Sequence, residues 1–334
     1  MWDPRTYVDT DFGLDDDESF EPDDISGTVI DTVRDPHIMT VLGAISPDDL
    51  GMCLPFEHLL IDPPLPSDPE HQLTDVMKAI EELTHCVTVG GQAIVDATTR
   101  DEGRDVLGLR QIARLVPAHV VTSTGGQSRA GLDVQAFDRQ VQEEIIQGIG
   151  PRQVRPGVIV ATLENREIED YDRAFLRIVA GIGAESRLPV YLKMSDLANA
   201  VEAVRFAIDT SLPEHQLNVV IPGVTMHSSQ VKELLALGVS VICLDIGKGD
   251  TGIEAKLASA IADLVAAGNL PNILLSHGFD LRKHLLAWNG APGWIYMLER
   301  FVLTLMDAGL DAPSVRTLLV ENPKRALTIA PEST

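Results

Sequence analysis

From residue 28 to the end of the chain, short apolar runs rich in valine and isoleucine alternate with longer stretches whose apolar positions recur every three or four residues. The runs are "GMCLPFEH", "QAIVDATT", "AHVVTSTGG", "RPGVIVATL", "LPVYLKMS", "LNVVIPG", "GVSVICLDIG" and "PNILLSHG", eight in all. A strand that is apolar on both faces belongs to a sheet covered on both sides. The intervening segments "DPEHQLTDVMKAIEELTHC", "DVLGLRQIARLV", "IEDYDRAFLRIVAGIGAE", "LANAVEAVRFAID" and "IEAKLASAIADLVAAG" have the period of amphipathic helices. Strand–helix alternation implies parallel strands joined by right-handed crossovers. Eight such units predict an α/β fold, a single (β/α)₈ TIM barrel over residues 28–334. An open, doubly wound sheet is the alternative, but no G-x-G-x-x-G loop follows the first strand.

Composition changes this picture only at the edges. Residues 1–27 form an acidic, low-complexity leader expected to be flexible or draped over the surface. The 334 residues carry a formal net charge of −24. That field excludes nucleic acid as a partner. The three cysteines, Cys53, Cys86 and Cys243, are too scattered for a disulfide framework or zinc knuckle. No apolar run reaches the 18 or so residues of a membrane span, and the N-terminus lacks the order of a secretory signal. A cytoplasmic protein with no membrane partner is the expectation.

In a barrel the active site lies at the C-terminal ends of the strands. The residues closing the runs are Phe56, Glu57 and His58; Asp96 and Thr98; Thr124; Val160 to Thr162; Lys193; Pro222 and Gly223; Asp245; His277 and Gly278. The stretches "TVLGAISPDDLGMCLPFEHLLID", "IVDATTRDEGRD", "VVTSTGG", "VICLDIG", "ILLSHG" and "LLVENPKRALTI" resemble the phosphotriesterase family of the amidohydrolase superfamily, across nearly all of the chain from residue 28 onward.

The resemblance implies a homodimer with a binuclear metal centre that hydrolyses esters, lactones or phosphotriesters. The family's centre is held by two histidines on the first strand, a carboxylated lysine or glutamate on the fourth, histidines on the fifth and sixth and an aspartate on the eighth. At those positions this chain has Phe56 and His58, Val160 or Ala161, Lys193, Pro222 or Gly223, and Gly278. Only His58 persists. Phenyl, isopropyl and glycine offer no donor electrons, and an ammonium repels a cation, so no metal and no other cofactor is expected. A mononuclear site rebuilt from His58, His277, His227 and Asp245 is the alternative, though no ligand spacing supports it.

Two functional readings remain open. The first is a metal-independent hydrolase or lyase acting on a small, partly apolar substrate, with Lys193, His58 and Asp245 as catalytic residues. A lysine beside Val190 and Leu192 at a strand mouth can serve as base or imine former when desolvated, and an imidazole can shuttle its proton. Phe56, Thr98, Thr124, His277, Trp288 and Trp294 are the candidate substrate contacts, the tryptophans coming from "LLAWNGAPGWIYML" after the eighth strand. Asp96 and Arg104 either anchor substrate or tie loops together. The second reading is a pseudoenzyme that binds a small molecule or an active relative, with Lys193 merely paired to Asp245 or Glu57.

Overall fold

The structure, a computed structural model, describes residues 35–63, 68–164, 167–194 and 196–330. The leader over residues 1–27 and its boundary with the barrel lie outside the described residues.

Each of the eight apolar runs forms a strand: β1 (Cys53–Glu57), β2 (Ala93–Asp96), β3 (His119–Gln127), β4 (Val158–Leu163), β5 (Val190–Met194), β6 (Leu217–Ile221), β7 (Ser240–Cys243) and β8 (Ile273–Leu275). They pair in sequence order, every neighbour parallel. The turn from β8 back to β1 is joined by a side chain. Ser276 Oγ accepts from Phe56 N at 3.0 Å and lies 2.9 Å from Phe56 O, so one hydroxyl stands in for a ladder bond. Eight parallel strands with surrounding helices make the (β/α)₈ barrel that the alternation predicts.

Strand alternation divides the core in two. Cys53, Val95, Val121, Val160, Tyr191 and Val220 pack together inside the barrel. Leu54, Ile94, Val120, Ile159, Leu192 and Val219 face the helices.

The helices are α1 (Val76–Thr88), α2 (Val106–Leu115), α3 (Val134–Gln147), α4 (Asp170–Ser186), α5 (Ala200–Thr210), α6 (Ser229–Ala236) and α7 (Thr251–Leu264), followed by α8 (Val302–Asp307), α9 (Ala312–Arg316) and α10 (Asn322–Leu327). Part of the acidic composition is spent on their starts. Asp75, Asp105, Asp133 and Asp250 each accept two backbone N–H groups at a helix N-terminus. Such a cap is worth about 1 kcal/mol. Of the seven helices that join successive strands, two have no counterpart in the periodicity reading. Only Phe137 and Val141 of α3 are buried, a thin apolar stripe, and α6 spans just 8 residues.

Before β1, a two-stranded antiparallel hairpin, Ile38–Thr40 with Gly43–Ile45, lies against the N-terminal ends of the strands. There Gly157 leaves no room for a side chain, since a Cβ would meet Met39 O at 2.4 Å. No described helix is long and apolar enough to cross a membrane.

Candidate functional site

At the C-terminal mouth of the barrel lies a cavity of about 300 Å³, lined among others by Phe56, His58, Lys193, Asp245, Lys248 and Asp280. Phe56 is its hub. The ring is 1% exposed. It lies 6.2 Å from the Tyr191 ring and meets the His58 ring edge-on at 5.7 Å. Lys193 Nζ stands 5.6 Å from the Phe56 centroid, within reach of a cation–π attraction. Burying that ring is favourable by about 2–3 kcal/mol, whereas a lone histidine in its place would need a polar partner.

Parity explains how these residues meet. Tyr191 and Lys193 are two apart on β5, so both project inward, the tyrosine deeper and the lysine at the mouth. Lys193 is half-buried, and among the described residues its Nζ has no hydrogen-bond or ion-pair partner. Its expected partners are engaged elsewhere. Asp245 Oδ1 pairs with Lys248 Nζ at 3.0 Å, and Asp245 Oδ2 accepts from Gly223 N at 3.3 Å. Glu57 points outward and accepts from Ser276 Oγ, His277 N, Phe279 N and Trp294 Nε1 at 2.6–3.1 Å. The expectation of a Lys193 pair with Asp245 or Glu57 is therefore corrected by the geometry.

Lys248 and Asp280 complete the cavity, and sequence reasoning missed both. Lys248 Nζ also donates to Gly278 O at 2.8 Å. Its loop is clamped by the buried Glu254, which accepts from Gly247 N at 2.9 Å and Gly249 N at 3.3 Å. Burial raises the Glu254 carboxyl, against the pull of those amides. Burial also works against charge on Asp280, yet His58, Lys248 and Lys193 around it hold its carboxyl below the ordinary value. Two sequence signals pointed here: Asp280 sits two residues beyond Gly278, and Lys248 three beyond Asp245. Asp245 adopts φ +68°, a left-handed conformation that non-glycine residues rarely take outside turns and functional sites.

Behind the cavity wall, His58 Nδ1 lies 2.9 Å from Thr98 Oγ1. Asp96 accepts from Leu59 N at 2.7 Å, Leu60 N at 3.4 Å and Thr98 N at 3.1 Å, so it ties the loop bearing His58 to the end of β2. Burial pushes Asp96 up to about 6, opposed by His58 and by these donors. Arg104 bonds Ser123 O at 2.6 Å and Glu144 at 2.9 Å, outside the mouth. Both residues of the second-strand segment thus act as ties.

The remaining candidate contacts lie outside the cavity. Thr124 faces α3 and donates to Glu144 Oε2 at 2.6 Å. His277 has carbonyls on both ring nitrogens, Ile246 O at 2.7 Å and Trp294 O at 3.3 Å. Trp294 is buried and serves Glu57. Trp288 packs beneath Lys78 and Arg282, whose charged groups stand 4.5 and 4.1 Å from its ring. His227 is an exposed loop residue. Alternation turns Thr124 and His277 away from the mouth, and the loop after β8 folds its tryptophans against α1 and the outer wall.

A barrel with polar groups converging at the strand mouths belongs to the class of TIM-barrel proteins that work at that face. The phosphotriesterase family model matches residues 36–327, and the chain belongs to that family. Among curated relatives, N-acetyltaurine hydrolase of Danio rerio is 23% identical over 345 residues, covering 87% of this chain and 97% of that protein. The phosphotriesterase homology protein of Escherichia coli is 24% identical over 288 residues, covering 83% and 98%. A solved amidohydrolase from Mycoplasma synoviae superposes with a TM-score of 0.80 at 20% identity, covering 90% and 94%.

The residues present do not fit the family's binuclear metal centre. Among the described residues no group of three or more His, Cys, Asp or Glu side chains converges to hold an ion. The backbone crowds a side chain at two of the ligand positions. Gly278 has φ +60°, and a Cβ there would meet Leu244 Cδ1 at 3.0 Å; one at Gly223 would meet Leu244 O at 2.5 Å. Val160 is buried in the inner core, and Lys193 brings a positive charge to the fifth-strand position. His58 alone supplies a donor at its family position.

Proposed function

We propose that this chain is a metal-independent hydrolase acting on a small, partly apolar ester or amide. The observation that carries the reading is Lys193, an amine without a hydrogen-bond or ion-pair partner among the described residues, sharing a cavity of about 300 Å³ with His58. That volume sits at the small end of ligand pockets. Phe56, Val220 and Leu244 supply an apolar wall, while the Asp245–Lys248 pair and Asp280 supply a polar one. In this reading His58 takes a proton from water as its oxygen attacks the carbonyl carbon. Lys193 compensates the charge that develops on the carbonyl oxygen. His58 then returns the proton to the departing nitrogen or oxygen. Membership of a family whose named relatives include an N-acetyltaurine hydrolase supports hydrolysis over carbon–carbon cleavage.

The test is turnover of a panel of chromogenic esters, lactones and N-acyl amides, with and without a chelator, alongside elemental analysis. Chelator-resistant hydrolysis lost in Lys193→Met and His58→Gln is the expected result. One or two stoichiometric transition-metal ions per chain, lost on changing His58, would overturn it. Saturable binding of a panel member without turnover would instead favour a pseudoenzyme.

A further inference from the structure

His58 apart, the mouth cavity is lined by four ionisable side chains, Lys193, Asp245, Lys248 and Asp280. Asp245 and Lys248 answer each other at 3.0 Å. Lys193 and Asp280 do not pair, and neither lysine comes within 4.0 Å of an Asp280 oxygen. No other described residue donates a hydrogen bond to the Asp280 carboxylate. Among the described residues the basic group within ion-pair reach is His71, with Nε2 3.8 Å from Oδ2, which is beyond hydrogen-bond length. Burial opposes charge on Asp280, yet His58, Lys248 and Lys193 hold its carboxyl below the ordinary value. An ionised carboxylate can only accept, so whatever satisfies it must bring donors.

Placement limits what can span these groups. His58 follows β1 and Asp280 follows β8, the two strands that Ser276 joins. Lys193 is on β5, four strands from β1 and three from β8. His58 and Asp280 thus share one side of the mouth, and Lys193 faces them from across it. A divalent ion is no match for Asp280, because it needs several converging donors and no group of three converges among the described residues. A protonated amine does match, since it brings up to three donors and the opposite charge. Lys193 is then left for the oxygen of a carbonyl. A cavity of about 300 Å³ allows only a few bonds between that amine and that carbonyl.

We propose that Asp280 is a specificity-determining residue that receives a protonated amine of the substrate, so that the substrates are esters or amides of small apolar amino acids. The proposal deepens the hydrolase reading and rests on it. The amine docks beside His58, the carbonyl oxygen turns to Lys193, and Phe56, Val220 and Leu244 receive the apolar side chain. Water adds to the carbonyl carbon, the bond to the alcohol or amine breaks, and the proton held by His58 leaves with that group. The products are an amino acid and an alcohol or amine.

Matched probes test this on the full chain. Valine methyl ester and valinamide differ from methyl isovalerate and isovaleramide only in the amine. With each kcat/KM divided by the uncatalysed rate of the same compound, wild type should favour the amine-bearing member of a pair by about tenfold or more. Asp280→Asn should reduce that preference by about the same factor. Equal use of the two members, or a preference that a folded Asp280→Asn retains, overturns the proposal. Should the variant not fold, the wild-type ratio still decides. Calorimetry with valinamide and isovaleramide reads recognition apart from turnover. Binding of valinamide alone, lost in Asp280→Asn, with no hydrolysis of any ester or amide would sink the hydrolase reading and leave Asp280 as an amine site. Hydrolysis that ignores the amine would sink this proposal alone, and neither binding nor turnover of the amine-bearing probes would also overturn it.

Discussion

The ends of β1 and β8 carry two polar arrangements on opposite sides of the same wall. On the outer side, Glu57 takes four donors and His277 sits between two carbonyls, so the carboxylate is saturated and the imidazole is held within the wall. On the inner side, His58 and Lys193 face a cavity, the lysine with no hydrogen-bond or ion-pair partner among the described residues. Two neighbours in sequence, Glu57 and His58, belong to opposite regimes. A saturated buried carboxylate stabilises a fold, while an unsatisfied amine at a cavity mouth leaves its electrostatics available to a ligand. Residue type alone does not distinguish scaffold from site here; the count of partners does.

The sharpest way to break that comparison is Glu57→Ala. It strands buried donors that each cost about 1–3 kcal/mol when left unmade, so a loss of about 4 kcal/mol or more should appear in urea denaturation. A loss below about 1 kcal/mol would mean the outer arrangement is not what holds β8 to β1. Lys193→Met should do the opposite. Stability should stay within about 1 kcal/mol, while kcat/KM on whichever panel substrate is turned over falls about 10²-fold or more.

Asp96 sharpens the boundary between the two regimes, since it is scaffold by its bonds and neighbour to the site. Its carboxyl is raised from 3.8 to about 6, so the native state holds a proton there that the unfolded chain releases. The resulting stabilisation is fully present below about pH 3.8 and lost as pH rises through about 6. Its size is on the order of 2–3 kcal/mol. Denaturation midpoints between pH 4 and 7 should fall less steeply in Asp96→Asn than in wild type, and parallel curves would refute the assignment. The smallest effect belongs to Trp288→Leu. Losing its cation–π contacts with Lys78 and Arg282 should cost about 1 kcal/mol and leave kcat/KM within about twofold. A large loss of activity would bring that loop back to the mouth.

Much of the scaffold was legible because its signals are local. Apolar runs of strand length and helical periodicity need only neighbouring residues to be read, and all eight strands follow from them. Helices α3 and α6 escaped because one buries few apolar residues and the other is short. Of the candidate site, Phe56, His58, Lys193 and Asp245 share the cavity, while Thr98 stands behind His58. Thr124, His277, Trp288 and Trp294 do not reach it. Strand parity explains the first two, but a loop's path around the barrel leaves no periodic trace, and the tryptophans were unreadable on that account.

The chain alone determined the alternation that builds the barrel and the placing of Phe56, Val160, Lys193 and Gly278 in its strands and the turns after them, since both depend only on which residue stands where. Partner choice was decided in three dimensions. Asp245 is drawn to Lys248, Glu57 to the amides after β8, and Asp280 to the mouth beside His58 and Lys193. Such bonds act over about 3 Å between segments up to 237 positions apart, and only the closed barrel brings those segments together.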